Sequence, residues 1–219
     1  MISHLWRMIF LIMLPALGFS VIHAANFNVS KLSTLAKTRY GEHALQMVIE
    51  LNQLVQANSS ASEQEKLQVI NHFFNSKLTF AEDVDIWKQS DYWATPLESI
   101  GLQAADCEDF SIAKYVFLKV LNIPNEKLRL TYVRAQLPEG VQAHMVLSYY
   151  ATPSAEPLIL DNLTPEILPA SNRHDLSPIF SFNDQGIWVG NSAKPKAISQ
   201  SHLSKWRDVL ARVRADGIE

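Results

Sequence analysis

The chain has 219 residues, with 19 Lys and Arg against 22 Asp and Glu and a formal charge of -3, which excludes the broadly basic surface that drives non-specific nucleic-acid binding. At 47% hydrophobic and 19% charged, it is too apolar for a disordered chain and long enough to bury a core. Its one cysteine, Cys107, excludes an intrachain disulfide and leaves buried packing, an intermolecular link or a reactive thiol. Residues 1–24 read as a signal peptide: Arg7 gives a positive start, Met8 to Phe19 is almost wholly apolar, and Ile22-His23-Ala24-Ala25 offers small residues for cleavage. The apolar run is short of the ~20 residues that span a bilayer, so an uncleaved anchor is the lesser reading. Residues 25–219 then form one exported domain, and a lone thiol in an oxidising compartment leans towards chemistry.

In the mature chain, Leu45, Val48, Ile49 and Val55 keep helical spacing within 38–57, and Ser62-x-x-Glu65 is a capping box opening a second helix with Leu67, Ile70, Phe73 and Phe74 inward. These two helices are expected to pack on each other. Pro96 holds Thr95 out of helical geometry and marks a loop before the cysteine. Phe110, Ala113, Tyr115, Val116, Phe117 and Val120 describe a buried helix, ended by Asn122 and Pro124. The period then changes to 2. Strands are expected from 128, over 142–150 and over 157–161, the last two antiparallel across the loop at 151–156, followed by a hairpin of 179–182 with 186–189. An amphipathic helix over 201–215 closes the chain. Helices followed by one run of strands give an α+β fold.

Cys107 stands where a loop becomes a helix. Asp106 suits the N-cap and Asp109 can close a capping box with it. Free N–H groups and the positive end of the helix dipole favour a thiolate there and can bind an oxyanion. A thiolate nucleophile needs a base and an orienter for that base. His144, near the start of one strand, and Asp161, at the end of the next, come side by side if the strands pair. Taken singly, Cys107 could be packing, His144 a core histidine and Asp161 a turn residue. Their joint order on helix start, strand and strand favours a Cys-His-Asp triad. His43, His72, His174 and His202 show no metal-ligand spacing, and Trp93 and Trp188 read as packing aromatics, although either could wall a cleft.

Asp106-Cys107-Glu108-Asp109-Phe110-Ser111-Ile112-Ala113-Lys114-Tyr115, Leu128 to Val133, His144-Met145-Val146-Leu147, Leu160-Asp161-Asn162-Leu163 and Ser181-Phe182-Asn183 resemble the bacterial transglutaminase-like cysteine proteinases. More closely they resemble the periplasmic members that release giant biofilm adhesins, which implies a periplasmic location. The resemblance spans roughly 38–190. It implies a papain/transglutaminase-like core, with the catalytic cysteine at a helix N-terminus packed on an antiparallel sheet, and with Cys107 as nucleophile, His144 as base and Asp161 as orienter. It further implies Ca²⁺ as cofactor, held by Asp106, Glu108 and Asp109, and cleavage of a large surface adhesin at a small-residue site such as Ala-Ala. A LapD-type inner-membrane receptor responding to cyclic-di-GMP would sequester the enzyme. The calcium expectation answers a physical difficulty, because three acids around a sulfur raise the thiol pKa and a helix dipole of about half a charge cannot cancel them. Further ligands are left open among backbone carbonyls and residues such as Asn122 or Asn125. A transglutaminase, whose acyl-enzyme is intercepted by a lysine amine, and a non-catalytic binding module are the alternatives.

Overall fold

The computed structural model describes residues 27–189 and 203–218. The expected signal segment and His202 lie outside them. Asn28 caps α1 (Val29–Tyr40), its side chain accepting from the Lys31 N–H at 2.9 Å. Gly41, at φ 92°, separates α1 from α2 (Glu42–Ala57). The expected helix over 38–57 is therefore two helices, broken where only a residue without Cβ turns the chain cheaply. The expected capping box opens α3 (Glu63–Lys77), with Glu65 N–H on Ser62 Oγ at 3.3 Å and Ser62 N–H on Glu65 Oε2 at 2.9 Å. The main neighbour of α2 is α1, and that of α3 is the cysteine-bearing helix α6 (Cys107–Val120), so the expected pairing of α2 with α3 gives way. Phe74 of α3 meets Phe117 of α6 with ring centroids 5.7 Å apart.

Between α3 and α6 lie β1 (Thr79–Phe80), a single turn α4 (Asp83–Ile86), α5 (Pro96–Leu102) and β2 (Ala104–Ala105), with β1 and β2 paired in parallel. The stretch after Thr95 was expected to be a loop and is a helix. Thr95 keeps the extended geometry that Pro96 demands and serves as N-cap of α5, with Glu98 closing a second capping box and Pro96 in the first turn, where a missing N–H costs nothing.

The sheet is formed by β3 (Leu128–Leu137), β4 (Gly140–Tyr149), β5 (Leu158–Leu160), β6 (Leu168–Pro169), β7 (Leu176–Asn183) and β8 (Gly186–Val189), in spatial order β6-β5-β4-β3-β7-β8 with every pair antiparallel. Alternation assigns its faces. Leu128, Leu130, Met145, Leu147, Leu160 and Phe182 join the main core under α6, whereas Val133, Val146 and Ile159 form a small cluster on the other face. Helix α7 (Ser204–Asp216) returns to the helical side, Trp206 packing edge-on against Tyr115 at 5.1 Å and Phe182 at 5.7 Å. The result is the expected α+β layering.

Candidate active site

Helix α6 begins at Cys107, and Asp106 caps it by accepting the Asp109 N–H at 3.3 Å. The capping box is only half made, because the Asp109 carboxylate accepts the Ala94 N–H at 2.6 Å instead of returning to Asp106. That bond ties the helix start to the loop before α5. Across the helix, Ser111 Oγ donates to the Met145 carbonyl at 3.1 Å, and the Met145 backbone, acting on the Cys107 sulfur, favours its anion slightly. The nucleophile candidate is thereby held beside β4, one residue from His144.

His144 and Asp161 meet as the strand order requires. The β4–β5 register ends at Leu147 opposite Leu160, and just beyond it His144 Nε2 lies 2.8 Å from Asp161 Oδ1, both side chains buried. With Nε2 engaged, Nδ1 is the nitrogen left to take a proton from a thiol. Asp161 is held further by the Leu163 N–H at 3.1 Å and by Arg173, whose Nη2 reaches Oδ2 at 2.6 Å. Burial disfavours the Asp161 anion, but the His144 and Arg173 bonds prevail and bring its carboxyl down to about 2. Arg173 is oriented in turn by Asp175 through Nε at 2.9 Å and Nη2 at 2.7 Å. Sequence reasoning missed Arg173, since an arginine in a loop twelve residues after Asp161 carries no spacing signal.

The thiol donates to Glu108 Oε2 at 3.0 Å. Burial, the Glu108 charge and that hydrogen bond push the Cys107 thiol well up, against the expectation of a thiol lowered by the helix start. Half a dipole charge does not offset a carboxylate in contact. Asp106 is pushed up to about 10 by burial and then by Asp109, Glu108 and Asp83. Asp109, Glu108 and Asp83 are raised for the same first reason, loss of water.

The three expected ligands do not stand as one group. Asp106 and Asp109 gather with Asp83, and Glu108 gathers with Asp83 and Asp91, the oxygens of each trio lying within 4.8 Å of one another. Asp83 and Asp91 were missed, although the acidic run Glu82-Asp83-x-Asp85 and the Asp91 loop were a compositional hint. Asn122 and Asn125 stand at the far end of α6, about 20 Å away at 1.5 Å per residue, where Asn125 receives the Tyr115 hydroxyl. Asp109 Oδ2 and Asp83 Oδ1 are buried without a hydrogen-bond partner. Five carboxylates with two orphaned buried oxygens fit a hard, oxygen-seeking divalent cation.

The residues around the cluster are packed. Trp93 donates Nε1 to Asp91 Oδ1 at 3.1 Å and stacks on Phe182 at 5.9 Å, and Tyr92 N–H donates to Asp83. Trp188 lies over Arg129 and away from the cysteine's side of the sheet. His43 makes a structural contact, its Nε2 donating to the Gly101 carbonyl at 2.9 Å.

The model of the family described as "Bacterial transglutaminase-like cysteine proteinase BTLCP" matches residues 36–190. The chain belongs to the bacterial transglutaminase-like cysteine proteinase family. Among solved structures it is similar to calcium-bound Legionella pneumophila LapG, at 36% identity and TM-score 0.72, covering 84% of this chain and 98% of that one. It is likewise similar to EGTA-treated Legionella pneumophila LapG, at 37% identity and TM-score 0.75, covering 87% of this chain and all of that one (100%). A search of curated proteins finds no match. Membership of this family makes the protein a cysteine protease. Among the described residues no helix is long and apolar enough to cross a membrane.

Proposed function

We propose that the protein is a calcium-dependent periplasmic endoprotease in which Cys107, His144 and Asp161 act as nucleophile, base and orienter. The observation that carries this is the buried His144–Asp161 contact at 2.8 Å, on the strand to which the Cys107 helix is tied by the Ser111–Met145 hydrogen bond at 3.1 Å. His144 Nδ1 takes the thiol proton, and Sγ adds to the scissile carbonyl. The Cys107 N–H, at the first position of α6 and without an i−4 carbonyl partner, would bind the oxyanion. The imidazolium returns its proton to the leaving amine, and water then releases the acyl group. Asp161, anionic and clamped by Arg173, supports the charged imidazole and fixes its tautomer.

Asp83, Asp106, Glu108 and Asp109, with Asp91 at the rim, would hold Ca²⁺. When bound, the ion supplies charge compensation beside the sulfur. Glu108, if it served as a ligand, would no longer be free to accept the Cys107 hydrogen bond seen at 3.0 Å, which would leave Sγ open to His144. The calcium-bound and EGTA-treated states named for the Legionella LapG structures support this reading.

The substrate reading is the N-terminal region of a large surface adhesin, cut at adjacent small residues to promote biofilm dispersal, with a LapD-like inner-membrane receptor as sequestering partner. It rests on similarity to LapG over most of the chain. The test is digestion of the N-terminal region of a large adhesin from the same genome in Ca²⁺, with products weighed by mass spectrometry. Two fragments whose masses sum to substrate plus one water are expected. Crosslinked species without fragments would replace proteolysis by amine transfer, and intact substrate would remove the adhesin assignment.

A further inference from the structure

On the sheet face opposite α6 lies a cavity of about 600 Å³, framed by β3, β4, β5, β7 and the 153–157 loop, whose lining includes neither Cys107 nor His144. Its floor is apolar, from Val133, Val146 and Ile159. At one end stands Arg129, only 4% exposed, its guanidinium carbon 4.0 Å from the Tyr150 ring centroid and 4.2 Å from that of Trp188. Arg129 Nε is buried without a hydrogen-bond partner, the Tyr150 side chain is the neutral group engaged by the guanidinium, and no ion pair with a carboxylate is formed by Arg129 among the described residues. Residues 1–26 and 190–202 contain no Asp or Glu. Glu156, the acid at the cavity mouth, is engaged by the Ser171 N–H at 2.6 Å.

A cation taken out of water is costly unless paired. Aromatic faces recover only part of that cost. The remaining deficit is one unit of charge at the end of an apolar cavity, in the size range of small-ligand sites. Arg173, which clamps Asp161, lines the same cavity and has a second buried nitrogen, Nη1, without a partner.

We propose that this cavity binds a small amphipathic monocarboxylate, its carboxylate on the Arg129 guanidinium and its apolar body on the Val133–Val146–Ile159 floor. The near-complete burial of Arg129, 4% exposed, favours a ligand that enters whole over a side chain reaching in from an extended peptide. A single uncompensated charge beside an apolar wall matches a singly charged head and not a phosphate dianion.

The probe is octanoate, titrated calorimetrically into the full chain, with neutral octanamide as its uncharged counterpart. Saturable octanoate binding is expected, with octanamide at least tenfold weaker and Arg129→Gln reducing octanoate affinity at least tenfold. Ala155→Trp, which fills the mouth from the loop and leaves Arg129 in place, should also abolish binding, so the assignment stays testable if Arg129→Gln fails to fold. No octanoate binding, equal affinity for octanamide, or unchanged affinity in either folded variant would overturn the proposal. Tighter binding of the blocked peptide acetyl-Val-Glu-Val-amide than of octanoate would overturn it in favour of an acidic peptide.

Discussion

At the scale of single residues, the catalytic reading depends on three side chains and on the arginine behind them. Cys107→Ala should be folded and inactive, since no other thiol exists in the chain. His144→Ala and Asp161→Asn should each lower kcat/KM by on the order of 10²–10⁴-fold, read as cleavage rate with unchanged circular dichroism. Arg173→Met leaves Asp161 buried with half its support, and removing one partner of a buried pair costs ~3–5 kcal/mol, visible in urea unfolding. Asp161 also sets an acid limit. Its folded pKa of about 2 lies below the ordinary 3.8, so the unfolded chain binds more protons between those values. The contribution, roughly 2 kcal/mol, is complete above pH ~4 and vanishes as the pH falls through about 2. Asp161→Asn should flatten that part of the stability profile.

The secondary elements show how a loop distant from Cys107 in sequence comes to share its site. Arg212 of α7 donates to the Trp93 carbonyl at 2.5 Å, to Glu98 at 2.7 Å and to the Tyr92 hydroxyl at 3.1 Å. It thus pins the segment that carries Asp91 and the Ala94 N–H. Arg212→Ala should weaken calcium binding about 10- to 100-fold, as loss of groups supporting metal ligands does, while leaving the His144–Asp161 pair intact. Calorimetric titration of Ca²⁺ into the variant checks this. The strands, the Ser62 cap and the meeting of His144 with Asp161 were legible because each follows from period, cap chemistry or antiparallel pairing. Gly41, the start of α5 and the contributions of Asp83, Asp91 and Arg173 were not. Those depend on which loops are brought together by α7 and by the parallel β1–β2 pair, and no local pattern records that. Asn122 and Asn125, left open as further ligands, are near α6 in sequence but at the end away from Cys107.

For the molecule as a whole, the acidic cluster makes stability depend on pH and cation together. Burial raises Asp83, Asp106, Glu108 and Asp109, so the metal-free folded state binds more protons than the unfolded chain above pH ~4. Its stability therefore falls as the pH rises towards the folded value of about 10 for Asp106. A cation held by the carboxylates removes that loss. In EGTA the Tm should be lower at pH 8 than at pH 5, and Ca²⁺ should raise it more at pH 8. Equal Ca²⁺ shifts at the two pH values would contradict the assignment of these acids. Mg²⁺ should substitute poorly, because it demands tighter octahedral geometry and dehydrates reluctantly.

The thiol itself reports on nucleophile, base and cation at once. Because Cys107 is the sole cysteine, the rate of its alkylation by iodoacetamide, followed by intact mass as a function of pH, gives the thiolate fraction without ambiguity. With Ca²⁺ the wild-type chain should alkylate rapidly at neutral pH, at least tenfold faster than in EGTA, and His144→Ala should lose that advantage. Equal rates in Ca²⁺ and EGTA, or a His144→Ala variant as reactive as wild type, would contradict a thiol activated by His144 once the acidic cluster is neutralised.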